Sequence, residues 1–245
     1  MTKLALSWVL PVHNDEATIA ANVARLAAHT KTWPDSDILL VENGSRDASW
    51  ARCEELGGER DGVVVRPFRE PNAGIGFAYA RGLAELEALH GTSTERWAVL
   101  TGSDLPWGFS DLDSALPLMT DGRAPVLIGS KAHPRSQAFG GYKRLAMSIA
   151  FRVLRRAILG MRTGDSQGSF FIRLDVAAPL AHRIQSRDFF YTTELVYYAE
   201  SLPDGVIEVP AIIEPSQLVG HSTVRPLKHG SAMLRQLVQL RRRSG

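Results

Sequence analysis

A chain of 245 residues with 44% apolar and 22% charged side chains has an ordinary globular composition, with no low-complexity tract or internal repeat. Its 28 Lys and Arg against 26 Asp and Glu leave a formal charge of +2, which makes no case for a nucleic-acid partner. Cys53 is the single cysteine, which excludes a disulfide framework and a cysteine-built zinc site and fits a reducing, cytoplasmic setting.

In chain order, Leu4 to Val12 reads as a buried parallel strand, followed by Asn14-Asp15-Glu16 as a helix start and by a helix from Ala17 to Ala28. Asp37 to Val41 is a second strand, and Arg46 to Leu56 has helical spacing. Val63 to Val65, Trp97 to Thr101 and Val126 to Ile128 give further strands, with a helix from Gly74 to Leu89 between the first two. Gly140 to Arg162 is a basic amphipathic helix with Leu145, Ile149, Val153, Ala157 and Met161 on one stripe. Ser169 to Leu174 is a strand, Glu194 to Glu200 a helix, and Met233 to Leu240 a smaller amphipathic helix ending in Arg241-Arg242-Arg243. Strands alternating with helices predict one α/β domain over residues 1–245, with a mostly parallel sheet covered on both faces. Residues 1–105, 106–225 and 226–245 would form a first half, a second half and a basic C-terminal helix.

Charge is unevenly placed. From Gly122 to Gly164 there are nine Lys or Arg and no acid, and none follows Glu214. These runs read either as solvated faces or as a surface for phosphates and anionic lipid, each charge contributing ~1 kcal/mol near such a membrane. No window approaches the roughly 18 consecutive apolar residues of a spanning helix, so a membrane role would be peripheral.

Ligands of open parallel sheets bind beyond the carboxyl ends of the strands. The turns there read Leu10-Pro11-Val12-His13-Asn14-Asp15-Glu16, Val41-Glu42-Asn43-Gly44-Ser45-Arg46-Asp47, Asn72-Ala73-Gly74-Ile75-Gly76 and Thr101-Gly102-Ser103-Asp104-Leu105. In this order and spacing the set resembles the family-two glycosyltransferases of GT-A fold, whose usual forms are PVYNEE, VDDGSxD, NxGxG and DxDL. Gly129-Ser130-Lys131, Asp165-Ser166-Gln167-Gly168, Thr193-Glu194-Leu195 and Glu208-Val209-Pro210 resemble the dolichyl- and polyprenyl-phosphate sugar transferases.

The resemblance implies a Rossmann-like sheet and an inverting hexosyltransferase that uses a UDP- or GDP-sugar. Pro11, His13 and Glu16 would line the nucleotide, Glu42 and Asn43 would approach the base or ribose, and Asn72 and Gly74 would lie near the ribose. Ser103 would adjoin the donor. Asp104 would hold Mg2+ or Mn2+ against the diphosphate. Asp165 and Gln167 would lie near the sugar or phosphates, and Lys131, Arg135 and Arg144 would hold the acceptor's phosphate. His221 is a further candidate metal ligand. Where the family has two acids flanking one residue, this chain has Gly102-Ser103-Asp104.

The acceptor implied is a polyprenyl phosphate at the inner face of the cytoplasmic membrane. A soluble hydroxyl acceptor and a binding protein without turnover are the alternatives. For a hydroxyl acceptor Glu194 is the general-base candidate, although a carboxylate there also suits a helix dipole. Phe189-Phe190-Tyr191 reads as core rather than as a sugar platform. Two rival motifs fail on context. Asn72 to Gly76 lacks the third glycine of a dinucleotide loop. Gly164-Asp165-Ser166-Gln167-Gly168 has its helix before and its strand after, the reverse of a hydrolase elbow.

Overall fold

The computed structural model describes residues 4–137, 141–212 and 226–244. Its first strand, β1 (Ala5–Val12), is buried over nearly its whole length, and its side chains alternate between two cores. Val9 faces one core while Leu6, Trp8, Leu10 and Val12 face the other. A strand apolar on both faces belongs in the middle of a sheet covered on both sides.

The following elements are α1 (Ile19–Thr30), β2 (Asp37–Asn43), α2 (Ser49–Leu56), β3 (Gly58–Arg60), β4 (Val63–Glu70), α3 (Ile75–His90), β5 (Arg96–Leu100), α4 (Ser110–Thr120) and β6 (Val126–Ser130). After them come α5 (Tyr142–Leu159), β7 (Ser169–Arg173), α6 (Leu174–Arg183), α7 (Tyr191–Ala199), β8 (Val206–Pro210) and α8 (Pro226–Ser244). The strands form one sheet in the order β3-β4-β2-β1-β5-β7-β6-β8. Only β3 and β7 run against the rest, so the sheet is mostly parallel as the alternation implies. Helices α1, α2 and α4 cover one face, while α3, α6, α7 and α8 pack on the other.

Several boundaries depart from the sequence reading. Helix α1 begins two residues late, at Ile19, because Asn14 and Glu16 bond the neighbouring loop while the Asp15 carbonyl takes the Thr18 and Ile19 N–H groups in a turn ahead of the helix. Strand β4 continues through Arg66-Pro67 to Glu70, pairing with all of β2, although its outer residues lack an apolar pattern. Strand β7 is inserted antiparallel between β5 and β6, a direction that periodicity does not encode.

At the amino ends of the strands, Asp37 is 2% exposed. It accepts from Ser7 Oγ at 2.6 Å and His90 Nε2 at 2.8 Å, and it faces Arg96 and Arg66 at 3.5 Å. Pairing this full offsets the cost of burying a carboxylate. That end of the sheet is thereby closed with polar groups spent on each other. The carboxyl ends remain for ligands.

Candidate functional site

The loops after β1 and β2 are laced together. Asn14 N–H donates to Ser45 Oγ at 3.0 Å, and Arg46 N–H donates back to Asn14 Oδ1 at 2.9 Å. Asp15 N–H donates to Ser49 Oγ at 2.7 Å, while Glu16 Oε2 accepts from Ala48 N–H at 2.8 Å. His13 Nδ1 donates to the Asn43 carbonyl at 2.8 Å, and Pro11 sits half-buried at the strand end. Glu42 is buried, accepting from Ser45 N–H at 2.5 Å and facing Arg69 at 3.5 Å. Much of the polarity here therefore builds the ledge. Asn43 differs: it is 3% exposed, and its Oδ1 has no hydrogen-bond partner. An unsatisfied buried acceptor at a strand end is one that a ligand donor can complete.

The turn after β5 shows what the missing acid changes. A Cβ at Gly102 would lie 2.6 Å from Asp104 Oδ1, so the absent side chain leaves room for the Asp104 carboxylate to fold over the backbone. Ser103 Oγ donates to Asp15 Oδ2 at 2.6 Å, which draws the Asp15 carboxylate to the same turn. Packing desolvates Asp104 and pushes its carboxyl above the usual range, and the nearby Asp15 charge adds to this. The sequence reading treats Asp15 only as a helix-start acid. The structure gives it a place beside Asp104.

A cavity of 190 Å³ opens beside this turn, between β5, β7, α3 and the start of α7. Tyr79, Trp107 and Phe189 supply aromatic surface, and Thr101, Gln167, Ser169 and Thr192 supply polar groups. Lys131 stands at its edge. Its Nζ donates to the Gln167 carbonyl at 3.0 Å, lies 3.5 Å from Asp165 Oδ2, and is 5.8 Å from the Trp107 ring centre. Asp165 also accepts from the N–H groups of Lys131 at 3.0 Å and Gln167 at 2.9 Å. Burial works to raise the Asp165 carboxyl, but Lys131 and these donors outweigh it and hold it below its ordinary value. Asp165 thus arranges the cavity wall, while Gln167 lines it. Asp111, buried behind Ser169 and accepting its hydroxyl hydrogen bond, is pushed up to about 6 by desolvation.

A wider depression of 390 Å³ lies beside the first residue of β8, at the opposite edge of the strands from these turns. The strand-end rule favours the smaller cavity.

Glu194 is not in the cavity wall. It is fully buried, accepting from Gln185 N–H at 2.8 Å, Ser186 Oγ at 2.6 Å and Arg243 Nη2 at 2.7 Å. This corrects its reading as a base facing a hydroxyl, since its oxygens are spent on the fold. Gly74 and Gly76 are also differently employed. A Cβ at Gly76 would come within 2.5 Å of Arg187 C, and one at Gly74 within 2.8 Å of Arg187 O, so these glycines admit the 185–188 segment. Asn72 is exposed and turns back to Glu70 Oε1 at 2.7 Å. Arg135 is exposed. The side chain of Arg144 and the whole of His221 lie outside the described residues. Ser166 is buried against Thr193 at 3.2 Å, unlike an exposed nucleophile.

Comparison with known proteins follows the same lines. The model of the family described as "Glycosyl transferase family 2" matches residues 7–177. Polyprenol monophosphomannose synthase of Mycolicibacterium smegmatis is 25% identical over 219 residues, or 86% of this chain and 77% of that protein. Glucosyl-3-phosphoglycerate synthase of Mycobacterium tuberculosis, solved with uridine diphosphate, is similar at a TM-score of 0.64 and 20% identity, over 97% of this chain and 79% of that one. Its complex with Mn2+, UDP-glucose and phosphoglyceric acid gives a TM-score of 0.62 at 20% identity and the same coverage.

Proposed function

The chain belongs to glycosyl transferase family 2, and we propose that this glycosyltransferase moves a hexose from a UDP- or GDP-sugar, with inversion, to a polyprenyl phosphate at the inner face of the cytoplasmic membrane. The observation that carries the lipid part is helix α5. Every residue from Leu145 to Ala150 is exposed, and Leu145 and Ile149 are 46% and Val153 59% exposed. Such an apolar run on open surface is costly in water and suits a bilayer interface. Exposed Arg156 on α5 and Arg235, Arg241 and Arg242 on the adjoining α8 supply the charge that anionic head groups attract. No helix among the described residues is long and apolar enough to cross a membrane. The 25% identity to a polyprenol monophosphomannose synthase supports the same acceptor.

Helix α5 is also tied to the cavity. Arg155, 2% exposed, donates to the carbonyls of Thr163 at 3.4 Å and Gly164 at 3.1 Å, just before the Asp165–Gln167 wall. An acceptor phosphate held near Lys131 is already ionised, so full occupation of Glu194 by other donors costs the reaction nothing. Its oxygen would attack the anomeric carbon as the bond to the nucleoside diphosphate breaks and the leaving group takes the electron pair. The donors at the turn are all oxygen, Asp104, Asp15 and Ser103, and that set fits Mg2+ or Mn2+. A cation held by Asp104 and Asp15 would offset the charge of the departing diphosphate.

A test is incubation with labelled UDP-glucose, GDP-mannose and UDP-N-acetylglucosamine, with polyprenyl phosphate in anionic vesicles and Mg2+. Lipid-extractable label from one donor is expected, lost in the Leu145→Ser, Ile149→Ser, Val153→Ser triple variant while donor binding persists. Label appearing only on a soluble acceptor would sink the lipid part. That second reading has its own motive in the fold's likeness to a synthase solved with phosphoglyceric acid.

A further inference from the structure

The aromatic run before α7 divides in two. Phe190 and Tyr191 are 1% and 0% exposed in the core beneath the sheet, as read from sequence, whereas Phe189 is 47% exposed and lines the cavity. A lone exposed phenylalanine on a convex surface needs no explanation. One at the mouth of a concave site beside Tyr79 and Trp107 offers an apolar face to whatever enters.

Two observations orient that face. Of the hydrogen-bonding side chains of the lining, Thr192 gives its hydroxyl proton to the Phe189 carbonyl at 3.1 Å and Ser169 gives its own to Asp111. That leaves Thr101 and Gln167, near the ends of β5 and the β7 approach, to serve a hydroxyl-rich sugar away from Phe189. The residue before Phe189 is tied to the apolar helices. Asp188 accepts from Gln236 Nε2 of α8 at 2.9 Å, and α8 packs on α5, which carries the exposed Leu145, Ile149 and Val153. Exposed Leu234, two residues before Gln236, adds apolar surface on α8.

Resting on the lipid-phosphate reading above, we infer that Phe189 selects the acceptor, its ring packing on the first isoprene units of a polyprenyl phosphate whose phosphate reaches Lys131. The unsaturated, branched prenyl chain presents flat apolar surface to the ring. A saturated alkyl phosphate presents less.

The experiment measures transfer to a short prenyl phosphate and to a saturated alkyl phosphate of equal length, in the whole protein and in Phe189→Ala and Phe189→Leu. In Phe189→Ala the KM for the prenyl phosphate rises about tenfold, the size of one lost aromatic contact with its apolar burial. The KM for the donor stays within about twofold, and the preference for prenyl over alkyl disappears. Phe189→Leu keeps part of the affinity and loses the preference. The side chain is half exposed, so thermal unfolding stays where it was. A donor KM that rises while the acceptor KM holds would make Phe189 a sugar platform and overturn the inference. Unaltered constants for both substrates would overturn it too. A parent protein that labels no prenyl phosphate but does label a soluble hydroxyl acceptor removes the lipid reading and this inference together, a result visible before any variant is made.

Discussion

Arg243 Nη2 lies 2.7 Å from Glu194 Oε1, joining the last turn of α8 to a carboxylate that is 0% exposed. Glu194 in turn receives Gln185 N–H and the Ser186 hydroxyl, and the same segment continues to Arg187, which packs on Gly74 and Gly76. The C-terminal helix is thereby coupled to a loop at the far side of the cavity. Removing Arg243 as Ala strands a buried charge. The expected loss is ~2–3 kcal/mol, below the cost of a fully buried pair because Arg243 is partly solvated. Urea unfolding checks it, and adding Glu194→Gln to Arg243→Ala should recover much of the loss. A double variant no more stable than Arg243→Ala alone would mean that the charge is not the cause.

Gly76→Ala tests the crossing directly. The Cβ would meet backbone atoms of Arg187, which cannot rotate away as a side-chain end can. Overpacking of this kind costs about 1–3 kcal/mol. The shifted loop, which leads into Phe189, should also raise the acceptor KM, measured by steady-state kinetics, more than it lowers kcat. Ordinary stability with altered acceptor KM would mean that the loop yields easily.

Asp15→Asn keeps an acceptor for the Ser103 hydroxyl and removes one charge from the Asp104 turn. Mn2+ binding in the presence of UDP, read by electron paramagnetic resonance, should weaken about tenfold or more, as it should in Asp104→Asn. An Asp15→Asn protein that binds Mn2+ as before would confine the cation to Asp104 and the diphosphate.

Asp111 gives a pH signature. Desolvation raises its carboxyl from an ordinary 3.8 to about 6 in the folded protein. Between these values the folded state holds more protons than the unfolded state, so stability falls as pH rises through this window and the penalty is complete above it. The gap corresponds to a penalty on the order of 3 kcal/mol. Asp111→Asn, which keeps partners for Ser169 and Leu112 N–H, should gain on the parent protein between pH 4 and pH 7 in denaturant midpoints. A difference independent of pH would show that Asp111 ionises no differently once buried.

The strand-end turns were legible because they follow apolar runs whose periodicity is strong, and the likeness of their order to one family located the ledge. What those residues do there was less legible. Glu194 looks like an exposed helix-start acid until Arg243, far along the chain, is brought to it. Asp15 joins the Asp104 turn through Ser103, a contact between two loops that no local pattern encodes. Phe189 and Phe190 are adjacent and chemically identical, yet opposite in burial, because the turn into α7 points one outward. The antiparallel insertion of β7 is likewise a matter of non-local pairing, since an apolar run does not state its direction.

That insertion has a consequence for synthesis. Both neighbours of β7 precede it in the chain, so β5 and β6 leave the ribosome with hydrogen-bonding edges that stay open until Ser169–Arg173 arrives. Open edges recruit other chains. The cavity wall at Gln167 and Ser169 enters with the closing strand, so a nascent chain arrested before β7 would lack a complete cavity and have a pronounced tendency to aggregate.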